Sequence, residues 1–152
     1  MLSLAGLQIV PDKARVAILR ALGWKIGENT AICHGVFASA SDVSIGSDVY
    51  IGPYSYFDSH GGIYIGNSVR IGSHFKILTR SHPIADGSVR AVLGHDIDLR
   101  TSIGSGSWIA ANVTVLPGAS VADRCVIGAG AVVTKPTELG GKYFGVPAKR
   151  IL

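Results

Sequence analysis

Charge is scarce in this chain. Only 16% of its 152 residues are Asp, Glu, Lys or Arg, and 14 basic against 10 acidic side chains leave a formal net charge of +4. That mild, scattered surplus lacks the basic stripe and interleaved aromatics of a nucleic-acid surface, so an anionic small molecule is the better partner. Cysteines number two, Cys33 and Cys125, and their spacing fits neither a metal site nor a redox motif; reduced, structural thiols and no metal are expected. No apolar stretch approaches a membrane span, and no charged segment at the N-terminus leads into a long apolar one, so cytoplasmic residence is the expectation. No linker or low-complexity segment divides the sequence, and residues 1–152 read as one domain. No Ser or Cys occupies a nucleophile motif such as GxSxG.

What the chain has in abundance is glycine, 20 residues, placed with a rhythm. An aliphatic-glycine pair recurs as Ile26-Gly27, Ile45-Gly46, Ile51-Gly52, Ile65-Gly66, Ile71-Gly72, Ile103-Gly104 and Ile127-Gly128. From Ile97 the six-residue phase runs on through Ile103, Ile109, Val115, Val121, Ile127 and Val133, with Val113, Ala119, Cys125 and Ala131 four places after several of these beats. A helix would repeat near 3.6 residues and a half-buried strand at two, so a period of six means a short strand plus a turn, repeated. Such a unit cannot bury its own apolar face and must stack on its neighbours, which is the logic of a solenoid. Glycine suits the corners and β-branched residues the flat faces. An all-β architecture follows, a parallel β-helix over residues 25–135, with a cap at 1–24 and a tail at 136–152. Three beats per turn place coil starts near Ile26, Ile45, Ile65, Ile97 and Val115, five coils in all.

Two features depart from the rhythm. Residues 11–22 (PDKARVAILRAL) carry Pro at a first turn and apolar Val16, Ile18, Leu19 and Leu22, with Lys13, Arg15 and Arg20 elsewhere, which predicts a short capping helix. A lid for the solenoid end is the favoured role over membrane-surface docking. The largest break in phase runs from Thr79 to Asp96 and holds Ser81-His82-Pro83 and Arg90; insertions in a solenoid are where loops leave the body and function gathers. With 47% hydrophobic residues, the thin body also leaves apolar faces to cover, which argues for an oligomer.

The beat resembles that of the hexapeptide-repeat family, whose coils are left-handed and triangular. The segment Ile77-Leu-Thr-Arg-Ser-His82-Pro83 followed by Arg90 is similar to the TxxHPxxxxxR signature of the galactoside, maltose and polysaccharide O-acetyltransferases, with the arginine one place further on. The later run Trp108-Ile-Ala-Ala-Asn112, Pro117-Gly118, Val126-Ile-Gly-Ala-Gly through Lys135 and Gly145-Val-Pro147-Ala148-Lys149 resembles the family's WIGAN…PG…VIGAGSVVTK…GxPAK ending. Arg20 to Asn29 also looks like the first coil of small exopolysaccharide acetyltransferases of the colanic-acid type.

The resemblance implies acetyl-CoA as co-substrate, a homotrimer with intersubunit active sites, and direct acyl transfer without a covalent enzyme intermediate. His82 is the expected general base, since an imidazole near its ordinary pKa of ~6.5 accepts a hydroxyl proton and returns it to a thiolate. The backbone amide of Ala111 is the expected oxyanion donor. Trp108 falls on the acceptor side; Asp58 and His60 either contact the acceptor or form only a polar corner, and Arg90 either binds the acceptor or pins the loop. Ala111, Ala129, Thr134, Lys135, Lys149 and Arg150 match positions that line the coenzyme channel. Gly52 stands where the galactoside and maltose enzymes carry a sugar-binding asparagine, which counts against a free galactoside or maltose and favours a hydroxyl on a polysaccharide precursor or related glycan. The alternatives are an amine, serine or antibiotic acceptor for the same donor, and a non-catalytic scaffold. His34, His74 and His95 do not reproduce the zinc spacing of the carbonic anhydrases that share this repeat.

Overall fold

The computed structural model describes residues 8–84 and 96–151. Short parallel strands stack into three flat faces. Face A comprises Lys25–Ile26, Val43–Ile45, Ile63–Ile65, Thr101–Ile103 and Ser120–Val121; face B comprises Ala31–Ile32, Tyr50–Ile51, Arg70–Ile71, Trp108–Ile109 and Val126–Ile127; face C comprises Phe37–Ala38, Tyr56–Asp58, Lys76–Leu78, Thr114–Val115 and Val132–Val133. The second residue of each beat points inward, so Ile32, Ile51, Ile71, Ile109 and Ile127 form one fully buried column, and Val113, Cys125 and Ala131 fill the interior beside it. Register follows from the beat: Ile45 stacks on Ile65, Ile65 on Ile103, and Ile109 on Ile127. Glycine at the corners is dictated by the approach of the next coil, since a Cβ on Gly52 would lie 2.6 Å from the carbonyl carbon of Gly72. Both thiols are free; buried Cys125 donates to the Glu138 carbonyl at 3.1 Å, and Cys33 donates to the Tyr50 hydroxyl at 3.3 Å.

There are five coils, but the last two begin one beat later than expected, at Ile103 and Val121 rather than Ile97 and Val115. Ile97 keeps the six-residue spacing without belonging to the body: it is 42% exposed and lies in an antiparallel pair, opposite Ser81. The chain leaves the body after Thr79, which is fully buried, and rejoins face A at Thr101. The return stroke needs the Gly61-Gly62 pair, because a Cβ on Gly61 would meet the Leu99 amide nitrogen at 2.7 Å.

Helix α1 spans Asp12–Ala21, begun by Pro11 and an acidic first turn, both favourable at a helix N-terminus. Val16 and Leu19 are buried against the first coil, whereas Ile18 and Leu22 are only partly covered. Arg15, expected on the polar side, is instead 1% exposed. The reason lies in the alternation of a parallel strand, whose successive residues turn their backbone groups toward opposite neighbours. The amides of Gly27 and Cys33 donate to the second coil, at the Ile45 and Ile51 carbonyls, each at 2.9 Å; the carbonyls of Ile26 and Ile32, across the same peptide units, therefore face the open end. Arg15 donates to the Ile32 carbonyl at 2.9 Å and the Val10 carbonyl at 2.7 Å while pairing with Asp12 at 2.6 Å. Arg20 donates to the carbonyls of Ile26 and Gly27. At the other end, part of the expected tail extends the body: Lys142–Phe144 joins face B, Lys149–Arg150 turns back antiparallel to it, and Tyr143 is buried.

Candidate active site

The excursion begins as a two-stranded neck, Arg80–Ser81 against Ile97–Asp98, with Arg80 opposite Asp98. Continuing that register puts His82 opposite Asp96, and alternate residues of each strand share one side. Arg80, His82, Asp96 and Asp98 consequently form a charged cluster. His82 Nδ1 is 2.9 Å from Asp96 Oδ1, a contact that favours a ring proton on Nδ1 over one on Nε2. Arg80 Nε donates to Asp98 Oδ1 at 2.9 Å, and its Nη1 lies 3.3 Å from Asp96 Oδ2. The fork from Arg80 holds the Asp98 carboxyl below its ordinary range, and Asp98 in turn raises the Arg80 guanidinium.

The neck is anchored to the body by Asp58 and Thr79. Asp58 Oδ1 accepts from Ser39 Oγ at 3.0 Å and Oδ2 from the Arg80 amide at 3.3 Å, so this carboxylate is engaged with the protein. Thr79 Oγ1 donates to the Asp58 carbonyl and accepts from the Gly61 amide at 2.9 Å. His60 Nε2 lies 4.0 Å from Asp58 Oδ1. The structure thus gathers Asp58, His60 and His82 at one corner, between faces C and A. Arg90 and His95 lie outside the described residues.

The other expected residues sit elsewhere. Trp108 projects from face B, 58% exposed, between Arg70 below and Val126 above. Ala111 and Ala129 stack on one another at the corner between faces B and C, two residues beyond the pairs Ile109–Ile127. His34 and His74 flank Tyr54 at that same corner, with ring centroids 5.1 and 5.2 Å away, so they are engaged in an aromatic column. Among the described residues, no group of three His, Cys, Asp or Glu is placed to hold a metal.

Corner amides differ in how they are satisfied. Between faces A and B each is capped by a side chain from the next coil: Glu28 by Ser47 Oγ, Ser47 by Asn67 Oδ1, Asn67 by Ser105 Oγ and Ser105 by Asp123 Oδ1, at 2.7–3.1 Å. Between faces B and C the residue above Ala111 is Ala129, which carries no acceptor, and among the described residues nothing caps the Ala111 amide. A carbonyl oxygen can approach there.

Thr134, Lys135, Lys149 and Arg150 converge on a cavity of about 350 Å³ at the C-terminal end, shared with Tyr143, Pro147 and Ala148. Both lysines are exposed, while Arg150 pairs with Glu138. A larger space, about 550 Å³, lies under α1 between Val16, Arg20 and Thr30. It is at the opposite end from this cavity and is the gap between lid and first coil rather than a site beside His82.

Sequence reasoning missed Asp96, Arg80 and Asp98. The signal was present as R-x-H at 80–82 and D-x-D at 96–98: opposite charges with period two on either side of an insertion, the pattern of a hairpin neck.

A stacked body of six-residue beats, interrupted by one insertion that carries a histidine-carboxylate pair, defines a class. Residues 100–135 match the family model described as bacterial transferase hexapeptide (six repeats), and the coils are left-handed, as in the hexapeptide-repeat acetyltransferases that this chain resembles. Among curated relatives, the galactoside O-acetyltransferase of Lactococcus lactis is 28% identical over 141 residues, 91% of this chain and 67% of that one. Among solved structures, a hexapeptide-repeat acetyltransferase from Vibrio cholerae superposes with a TM-score of 0.90 at 24% identity, over 99% of this chain and 85% of that one. A maltose O-acetyltransferase from Clostridium difficile gives a TM-score of 0.76 at 24% identity, over 99% and 80%. The structural likenesses carry the fold.

Proposed function

We propose that the protein is an acetyl-CoA-dependent O-acetyltransferase acting on a hydroxyl of a saccharide, a polysaccharide precursor or related glycan. The observation that carries this reading is His82 with Nδ1 on Asp96 and Nε2 unengaged by that contact. In the reaction, the acceptor hydroxyl gives its proton to His82 Nε2 as its oxygen bonds to the thioester carbonyl carbon. The carbonyl oxygen gains charge against the Ala111 amide, the C–S bond breaks, and the imidazolium returns the proton to the departing thiolate. No enzyme nucleophile is needed. Asp96 stabilises the imidazolium that forms between the two proton transfers.

The donor fits the residues present. Ala111, Ala129 and Gly130 offer a corner without bulky side chains along which a pantetheine arm can lie. The cavity beside Thr134, Lys135 and Lys149 offers cations for phosphates. Arg150 is available to phosphate only by exchange from Glu138. Asp58, His60, Arg90 and Trp108 are assigned to the acceptor side. Action in the cytoplasm belongs to this reading, and no helix among the described residues is long and apolar enough to cross a membrane.

One copy does not bring the parts together. Thr79, where the excursion starts, and Ser73, stacked beneath Ala111, stand at opposite edges of face C, with the strand Lys76–Leu78 between them. A neighbouring copy must bring its Ala111 corner to this chain's His82, which supports a homotrimer with active sites between subunits.

The test is thiol release from acetyl-CoA over sugar, nucleotide-sugar and amine acceptors, wild type beside His82→Ala. Sugar-dependent release that falls by about 10²- to 10⁴-fold in the variant is expected. Release driven by amines alone would move the acceptor class, and no release together with no coenzyme A binding by calorimetry would leave a scaffold.

A further inference from the structure

We propose that Arg80 is a positioning residue for the reaction of His82, acting through Asp96, and that it selects the histidine tautomer on which the proposed acetyl transfer depends. The inference rests on the reading of His82 as base, but its first measurement does not.

Arg80 is the only guanidinium among the described residues that touches both acidic members of the neck. Its Nε and Nη2 reach Asp98 at 2.9 and 3.4 Å, its Nη1 reaches Asp96 Oδ2 at 3.3 Å, and its amide donates to Asp58. Asp96 is thereby divided: Oδ2 faces the guanidinium and Oδ1 faces His82 Nδ1. A carboxylate on an exposed strand has two-fold freedom about its terminal torsion and several rotamers about the first; the second contact removes that freedom. The fork onto Asp98 also fixes the neck register, and that register sets His82 opposite Asp96. A slip by one residue would turn His82 to the other side of the hairpin. The planar, forked guanidinium can hold two carboxylates at fixed angles, which a lysine ammonium cannot.

Long-range proton–nitrogen spectra of the imidazole rings, recorded on the intact protein at about pH 9, where an ordinary imidazole is neutral, report the tautomer directly. The expected result is a His82 ring protonated on Nδ1 in the wild type. Asp96→Asn and Arg80→Gln should both shift it toward the Nε2-protonated form. Arg80→Lys should resemble Arg80→Gln, because charge without the fork does not suffice. Asp98→Asn should shift it in the same direction while leaving Arg80 in place. Kinetically, Arg80→Gln should lower kcat by about ten- to a hundredfold with KM for acetyl-CoA unchanged, and should add nothing in an Asp96→Asn background, since both changes remove one device. A tautomer unaltered by Arg80→Gln, or losses from Arg80→Gln and Asp96→Asn that multiply, would overturn the proposal. If the wild type transfers no acetyl group, the functional reading fails while the spectra still decide the role of Arg80.

Discussion

Two corners of the same prism share one geometry and differ in what stands above each amide. Between faces A and B, Ser47, Asn67, Ser105 and Asp123 form an unbroken ladder in which each side chain caps the coil before it. Between faces B and C the matching positions are His34, Pro53, Ser73, Ala111 and Ala129, and the upper part of that column has no side chain able to accept. Capping serves cohesion, because an amide satisfied internally no longer needs water. Leaving the corner bare keeps donors for something that arrives from outside.

A cavity in the interior should weaken both corners at once. Ile109 is fully buried beneath both corners, and Ile109→Ala should cost about 2–5 kcal/mol, seen as a lower denaturation midpoint with an unchanged slope. More selectively, Ala129→Asp would install over Ala111 the cap that Asp123 supplies over Ser105. Acetyl transfer should fall by about 10²- to 10³-fold, the usual loss of one oxyanion donor, while thermal stability stays the same or rises. The reverse change, Asp123→Ala, should uncap Ser105 at a cost of about 1 kcal/mol and leave kcat intact. The smallest effect belongs to the neck. Asp98 is held below its ordinary range by Arg80, so its contribution is present above the unfolded carboxyl value of about 3.9 and is lost as pH falls through the lower folded value. The resonance of the Arg80 Nε proton should therefore shift as Asp98 is protonated below about pH 4, while amides of the interior column do not move.

The body was legible because each coil repeats the same constraint, an inward aliphatic and a corner too tight for a side chain, as at Ile51-Gly52. The same regularity misled at Ile97, where a neck strand happens to lie six residues before Ile103 and is indistinguishable by spacing from a coil strand. His82 was singled out by its motif and Ala111 by its distance to Trp108, both as expectations of the resemblance. The contacts of Asp96 and Arg80 were not legible, because they depend on pairing across the excursion, and nothing local to either residue announces the partner. Arg15 was misplaced for a related reason: α1 periodicity assigns a cation to the wet side, whereas the carbonyls that draw it inward belong to a coil that follows in sequence.

The guanidinium groups of Arg15 and Arg20 bear on a hazard of long-range order. A parallel stack whose first layer displays open carbonyls is a template for another molecule's open amides, and end-to-end addition would make an unbounded fibre rather than a closed assembly. By occupying the carbonyls of Ile26, Gly27 and Ile32, the two arginines leave fewer open acceptors at that end for such addition.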